Sequence, residues 1–238
     1  MEGPPDLSCG SAQVGSFMKI VAIIQARVGS VRFPKKVLQK LVDDKTLLEV
    51  MVQRLSGSKY IDKIVLAIPD TAENDVIEEM FKVSKVSVFR GNEKDVLSRY
   101  YFAALKYDAS AVVRLTGDCP LIDVGVVDEV IEKFRAEQNI GVAYCSNISP
   151  PTFPDGLDVE IFNFDSLREA WLNASEPFDR EHVTPFIRNS CKTKCSNFSY
   201  KKDLSGLRWT VDEIEDLSIL KSLLERFSSN IDVSFEDI

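Results

Sequence analysis

The sequence has a single histidine, His182, among its 238 residues. With so little imidazole, no Ser/His/Asp or Cys/His arrangement assembles, and covalent catalysis is disfavoured. The five cysteines, Cys9, Cys119, Cys145, Cys191 and Cys195, are odd in number and scattered. That excludes a paired disulfide framework and fits a reducing, cytoplasmic setting. Cys191 and Cys195 form C-x-x-x-C with no second Cys or His pair nearby, short of the four ligands a structural zinc requires. No apolar run approaches the roughly 18 residues of a membrane-spanning helix. Basic side chains are in deficit, 29 against 37 acidic ones, for a formal net charge of −8. This argues against broad binding to nucleic acid or an anionic membrane, but not against one small anionic ligand, because local charge outweighs the total. Two phosphate-binding fingerprints are also missing: neither G-x-x-x-x-G-K-[ST] nor G-x-G-x-x-G occurs.

What is present is ordinary globular composition, 45% hydrophobic and 28% charged, enough for a single domain over residues 18–238. Residues 1–17 are rich in Pro, Gly and Ser and lack the basic start and apolar stretch of a secretory signal. They read as a disordered or tag-derived leader.

From Met18 onward, short β-branched runs alternate with amphipathic stretches. Residues 19–24, 63–68, 86–89 and 110–115 read as strands, the longer ones as buried parallel strands. Thr46 is placed to cap a helix ending near Ser56, with Leu47, Leu48, Met51, Val52 and Leu55 on one face. Further helices are predicted over 73–82, over 95–107 with Val96, Leu97, Tyr100, Tyr101, Ala104 and Leu105 inward, and over 125–137. Four strand–helix alternations imply a mostly parallel sheet with helices on both faces, a doubly wound, Rossmann-like α/β fold. After residue 140 the regularity breaks. Residues 141–145 and 157–162 read as strands of a hairpin or arm outside the main sheet, separated by the Pro-rich ISPPTFPDG. Helices are predicted over 167–173, 181–189 and 213–227, and strands over 195–200 and 207–211.

Ligands of an open α/β sheet bind beyond the carboxyl ends of its strands. Three segments there carry unusual polar groups. QARVGSVRFPKK brings Arg27, Arg32, Lys35 and Lys36 close together, with Gly29 and Ser30 to let backbone approach an anion. This pattern suits a triphosphate cradle, Arg gripping oxygens in pairs and Lys acting as a movable point charge. A solvated basic turn stays open on spacing alone. TGDCP places Asp118 at a strand end, where a lone Asp is often a turn former. WTVDEIED places Asp212 between strand and helix, either as a cap or as the second carboxylate, with Asp118, of a Mg²⁺ site. FPDGLDVE gathers Asp155, Asp158 and Glu160 around a turn, and DREHVTP holds Arg180, Glu181 and His182.

These segments together carry a resemblance. The strings IIQARVGSVRFPKK, GNEKDVLSRY, VVRLTGDCPLID, FPDGLDVEIF, FDREHVTPFI and RWTVDEIEDL resemble the SpsF-like branch of the cytidylyltransferases, which includes the acylneuraminate and 3-deoxy-manno-octulosonate enzymes. The resemblance runs in order from Met18 to about Leu220. It implies a three-layer nucleotide-diphospho-sugar transferase fold and the coupling of CTP to an acidic sugar or sugar phosphate, with release of pyrophosphate, in surface or spore-coat polysaccharide synthesis. It implies nucleotide contacts from Ala22, Gln25, Ala26, Arg27, Gly29, Ser30, Arg32, Lys36, Asp95, Thr116 and Gly117, with Arg27, Lys36 and Asp118 catalytic. Asp118 and Asp212 fall on the Mg²⁺-holding positions, and Asp95 is a candidate proton acceptor. Asp155, Asp158, Glu160, Glu181 and His182 are the expected sugar contacts, and a homodimer is implied. Gln25 stands where many sugar-acid enzymes carry Pro, a departure that matches the SpsF-like branch. A sugar-1-phosphate nucleotidyltransferase using another nucleotide, and a non-catalytic nucleotide binder, are the rival readings; D-G-L-D is not the D-x-D of related glycosyltransferases.

Overall fold

The computed structural model describes residues 18–30, 32–190 and 192–238. The predicted leader, with Cys9, lies outside the described residues, as does Cys191.

The first strand, β1 (Ile20–Gln25), is buried along its length. A polar loop and one 3-10 turn at Lys36–Leu38 lead to a small antiparallel pair, β2 (Lys40–Val42) and β3 (Lys45–Thr46). Helix α1 (Leu47–Leu55) starts where Thr46 predicts, in a reciprocal cap: Glu49 N donates to Thr46 Oγ1 at 3.2 Å and Thr46 N donates to Glu49 Oε2 at 2.8 Å. There follow β4 (Lys63–Pro69), α2 (Asp75–Phe81), β5 (Ser87–Gly91), α3 (Val96–Lys106), β6 (Ala111–Thr116) and α4 (Val124–Glu137). The chain continues through β7 (Val142–Ser146), β8 (Glu160–Asn163), α5 (Phe164–Asn173), α6 (Pro177–His182), α7 (Pro185–Asn189), β9 (Lys194–Asn197) and α8 (Ile214–Arg226).

Seven strands form one sheet in the order β5-β4-β1-β6-β8-β7-β9. Strand β1 pairs in parallel with β4 and β6, and only β8 runs against its neighbours. Strand residues alternate between two cores, as a two-residue period requires. Ile20, Ala22, Ile24, Leu66 and Val113 face α1, α4 and α8, whereas Val21, Ile23, Val65 and Val112 face α3 and α5. The three-layer α/β arrangement is therefore the predicted one.

Four local expectations are corrected. Strands β7 and β8 join the main sheet instead of forming an arm, because Tyr144 and Phe162 are fully buried against the α3–α5 layer; only the loop between them departs from it. Residues 207–211 are not a strand. They make an isolated parallel bridge to the 155–156 turn, where Asp155 N donates to Leu207 O at 2.9 Å and Trp209 N to Asp155 O at 2.7 Å. Gly156, at φ 108°, permits this close approach: a Cβ there would stand 2.8 Å from the carbonyl carbon of Trp209. The helix predicted over 181–189 breaks into α6 and α7 at Val183, φ 72°. Leu105 points outward from α3.

One buried cation ties distant segments together. Arg54, on α1, donates from Nε to Ile122 O at 2.6 Å, and from Nη1 to Val233 O at 3.1 Å and to Ile231 O. Burial lowers its pKa, opposed by Asp123, whose carboxylate lies 3.8 Å away.

Candidate active site

The basic loop after β1 is shaped from within. Val28 N donates to Asn74 Oδ1 at 2.9 Å, and Val28 O accepts from Ser30 N at 2.9 Å and Lys35 N at 3.1 Å. Asn74 is fully buried, so the loop hangs on one side chain from the start of α2. Lys35 takes a left-handed conformation, and the next residue turns its side chain into the cleft. Beside it, Gly117 N donates to Gln25 O at 2.9 Å, and a Cβ on Gly117 would meet that oxygen and Ala26 Cβ at 3.1 Å. Glycine thus brings the ends of β1 and β6 close together.

At this junction Lys36 Nζ donates to Asp118 Oδ2 at 2.9 Å and to Asp212 Oδ1 at 3.0 Å. Val211 N donates to Asp118 O at 2.9 Å, which fixes the two aspartates side by side despite their separation in sequence. Arg32 reaches Asp212 Oδ1 at 3.1 Å and Arg208 reaches Oδ2 at 2.8 Å. Burial opposes charge on Lys36, but the two aspartates hold its pKa above the ordinary lysine value. Burial likewise opposes charge on Asp212, and Lys36, Arg32 and Arg208 hold its carboxyl below the ordinary range. Asp212 is not the helix cap; Glu213 occupies that position, and Asp216 accepts from the backbone of both residues.

The cleft above holds about 890 Å³. Of the predicted nucleotide contacts, Gln25, Ala26, Arg27, Ser30, Arg32, Lys36, Asp95, Thr116 and Gly117 line it, joined by the predicted metal pair Asp118 and Asp212. Glu181 and His182 enter from α6, the His182 ring resting 4.4 Å from that of Phe178. A separate, mostly apolar groove of about 540 Å³ beside α8 shares no lining residue with it.

Several predicted residues stand elsewhere or are occupied. Ala22 is sealed inside β1, wholly within the core. Gly29 turns toward Glu73, whose carboxylate a Cβ would meet at 2.8 Å. Asp95 is not a free base: it caps α3 by accepting from Ser98 N at 2.9 Å, and both its oxygens accept from Arg180, Nε at 3.1 Å. Glu160, 2% exposed, is paired with Arg114 and accepts from Tyr144 Oη at 2.6 Å, so it braces the sheet below the cleft. Arg114 in turn approaches Gln25 Oε1 at 3.4 Å, which leaves the Gln25 amide nitrogen on the other side. Asp155 faces Arg208 at 3.5 Å, and Asp158 follows it in the same loop. Burial, Asp155 and Glu160 push the Asp158 carboxyl up to about 6. Cys119 is a buried thiol whose pKa burial raises well above the ordinary value, which makes it a poor nucleophile.

Sequence reasoning missed Arg99, Glu93 and Lys94 in the cleft wall and Arg208 at Asp212. A signal existed for Arg99: it interrupts the buried stripe of α3 with a charge.

The cytidylyltransferase family model matches residues 21–235. The Bacillus subtilis spore coat polysaccharide biosynthesis protein SpsF is 31% identical over 92% of this chain and 92% of its own length. A 3-deoxy-manno-octulosonate cytidylyltransferase of Thermodesulfovibrio yellowstonii is 26% identical over 87% of this chain and 86% of its own. Among solved structures, a cytidylyltransferase of Leptospira borgpetersenii superposes with a TM-score of 0.87 at 36% identity, covering 93% of this chain and 92% of that one. Matched over nearly all of its described length, this chain belongs to the cytidylyltransferase family.

Proposed function

We propose that the cleft transfers the cytidylyl group of CTP to a hydroxyl of an acidic sugar or a sugar phosphate. The new bond joins the acceptor oxygen to the α-phosphorus, the bond from that phosphorus to the β-phosphate oxygen breaks, and the acceptor proton leaves with pyrophosphate as the second product. The observation that carries the reading is the meeting of Asp118 and Asp212 on one cationic nitrogen beneath a basic loop.

That nitrogen stands in for a cation: two carboxylates from separate segments converge on a single positive charge, the donor set a hard divalent ion takes. Asp118 and Asp212 would hold Mg²⁺ here. When bound, Mg²⁺ would offset charge on the phosphates and polarise the reacting phosphorus. The remaining work belongs to the chain. Phosphoryl-type transfer depends mostly on positioning and charge neutralisation. Arg27 and Arg32 line the mouth and Lys36 its floor, a distribution suited to holding β- and γ-phosphates as they depart. Asp95 is engaged with Arg180, which argues against it as the acceptor of that proton.

The acidic acceptor rests on the 3-deoxy-manno-octulosonate relative, and a role in surface or spore-coat polysaccharide on the SpsF relative. A pyrophosphate-release screen tests the reading: CTP, UTP, ATP and GTP with Mg²⁺, each against nonulosonic acids, octulosonic acids and sugar phosphates. Release with CTP and an acidic acceptor is the expected result. Release only with another nucleotide, or CTP binding without turnover on any acceptor, would refute it.

A further inference from the structure

Arg99 is 3% exposed and yet lines the cleft. Among the described residues no carboxylate lies within ion-pairing distance of it. One edge of its guanidinium is in use: Nη1 donates to Asn92 O at 2.9 Å and to Glu93 O at 3.2 Å, bracing the loop after β5. The other edge is unused. Nε is buried without a partner, and Nη2 makes no hydrogen bond to a described residue. Burial lowers the Arg99 pKa, and the neighbouring Arg27 adds to that effect. A buried donor without an acceptor bears the full cost of its lost hydration. A neutral donor would hold the two carbonyls without burying a charge, so bracing alone does not account for an arginine here.

The sheet order says which part of a ligand meets this edge. Lys36, Asp118 and Asp212 gather the reacting phosphate at the ends of β1 and β6. To one side lies β8 with the acidic turn of Asp155 and Asp158; to the other lie β4 and β5, with the loop Arg99 braces. A nucleoside on the second side would lie away from the carboxylates, beside the loop that Arg99 braces. The Nε–Nη2 edge of arginine presents two parallel donors and matches two adjacent acceptors. Cytosine offers such a pair in O2 and N3. Uracil carries a hydrogen on N3 and would set donor against donor.

We propose that Arg99 reads the O2/N3 edge of the cytosine ring and selects CTP against UTP, a role that rests on the function proposed above.

Calorimetric titration at fixed salt, without acceptor, tests it on the intact chain. The native protein is titrated with CTP, UTP, GTP and 3-deazacytidine triphosphate, in which a C–H replaces N3; R99K, which keeps the charge but not the fork, is titrated with the first two. The native protein should favour CTP over UTP by about tenfold or more, the scale of one two-pronged base contact. The 3-deaza analogue should bind about as weakly as UTP. R99K should bring the CTP/UTP ratio close to one while its UTP affinity holds. An unchanged ratio in R99K, equal losses for both nucleotides, native binding of the 3-deaza analogue as tight as CTP, or a preference for GTP, whose O6 and N7 form the other two-acceptor edge, would overturn the assignment. If R99K does not fold, the 3-deaza comparison decides alone. A native protein that binds none of the nucleotides would overturn the underlying function instead, and this role with it.

Discussion

Replacing Lys36 with methionine removes one cation from between two carboxylates while keeping the length of the stem. The ammonium lies 2.9 Å from Asp118 and 3.0 Å from Asp212, with side-chain exposures of 13% for the lysine and 29% and 22% for the aspartates. Exposed ion pairs contribute about 0–1 kcal/mol, and breaking a fully buried one costs about 3–5 kcal/mol. This triad is between those limits, so K36M should lose about 1–3 kcal/mol at pH 7. In a domain of this size each kcal/mol moves Tm by about 2–4 °C. The pH window follows from the direction of each shift. The Asp212 pKa is depressed, so its contribution is present above the ordinary carboxylate range and is lost as pH falls through the depressed value. The Lys36 pKa is raised, so its contribution is complete below the ordinary 10.5 and is lost as pH rises through the folded-state value. The deficit should therefore hold from about pH 5 to pH 10 and shrink toward pH 3. Addition of Mg²⁺ should restore part of the K36M melting temperature and raise the native one less, because the native site already holds a positive charge. Differential scanning fluorimetry across pH, with and without Mg²⁺, measures all of this. A K36M melting curve within about 1 °C of native at pH 7, or equal Mg²⁺ shifts in both proteins, would refute the triad argument.

D118N and D212N should each lower pyrophosphate release by orders of magnitude with the far-ultraviolet spectrum unchanged; native turnover in either removes it from the metal site. N74L leaves Val28 N–H buried without an acceptor and should cost about 1–3 kcal/mol. It should also weaken CTP binding, because the basic loop hangs from that contact; unchanged CTP affinity in a destabilised N74L would separate the loop from the ligand. The Asp158 pKa is raised to about 6, so its ionisation opposes folding as pH climbs from the ordinary value through that point. D158N should accordingly melt above the native protein at pH 8 and level with it at pH 4, and a difference independent of pH would show that the carboxyl is not strained.

The parts of the fold that could be read in the sequence rest on local rules. The runs at β1, β4 and β6 are β-branched because both faces are covered, and Thr46 with Glu49 writes its own helix start. The pairing of Asp118 with Asp212 was legible as chemistry, but their meeting on Lys36 was not, since Val211 N and Asp118 O fix the pair across two segments. What stayed hidden depends on tertiary neighbours. The LRWTV stretch alternates like a strand, but it pairs with the turn before Gly156 through an isolated bridge rather than a ladder. Glu160 looks like a ligand beside Asp155 and Asp158. Its place on β8, opposite Arg114, turns it inward, and a one-residue change of register would have turned it out. Arg99 was hidden by its own string: in GNEKDVLSRY the eye goes to Asp95, whereas the helical period puts Arg99 on the buried stripe.

The arginine at the end of α1 has a consequence for how the molecule is made. The carbonyl of Ile231 that Arg54 uses is 177 residues further along the chain. At about 5–20 residues per second, the ribosome delivers that carbonyl roughly 10–35 s after Arg54 itself. For most of that interval β1, α1 and β4 are available to one another, but even once Ile122 has been added the guanidinium of Arg54 lacks two of its three carbonyl acceptors. The N-terminal half therefore waits on residues 231–233 to close its own core. Mutations in that late segment should reduce the yield of folded protein while sparing the catalytic rate of the molecules that do fold.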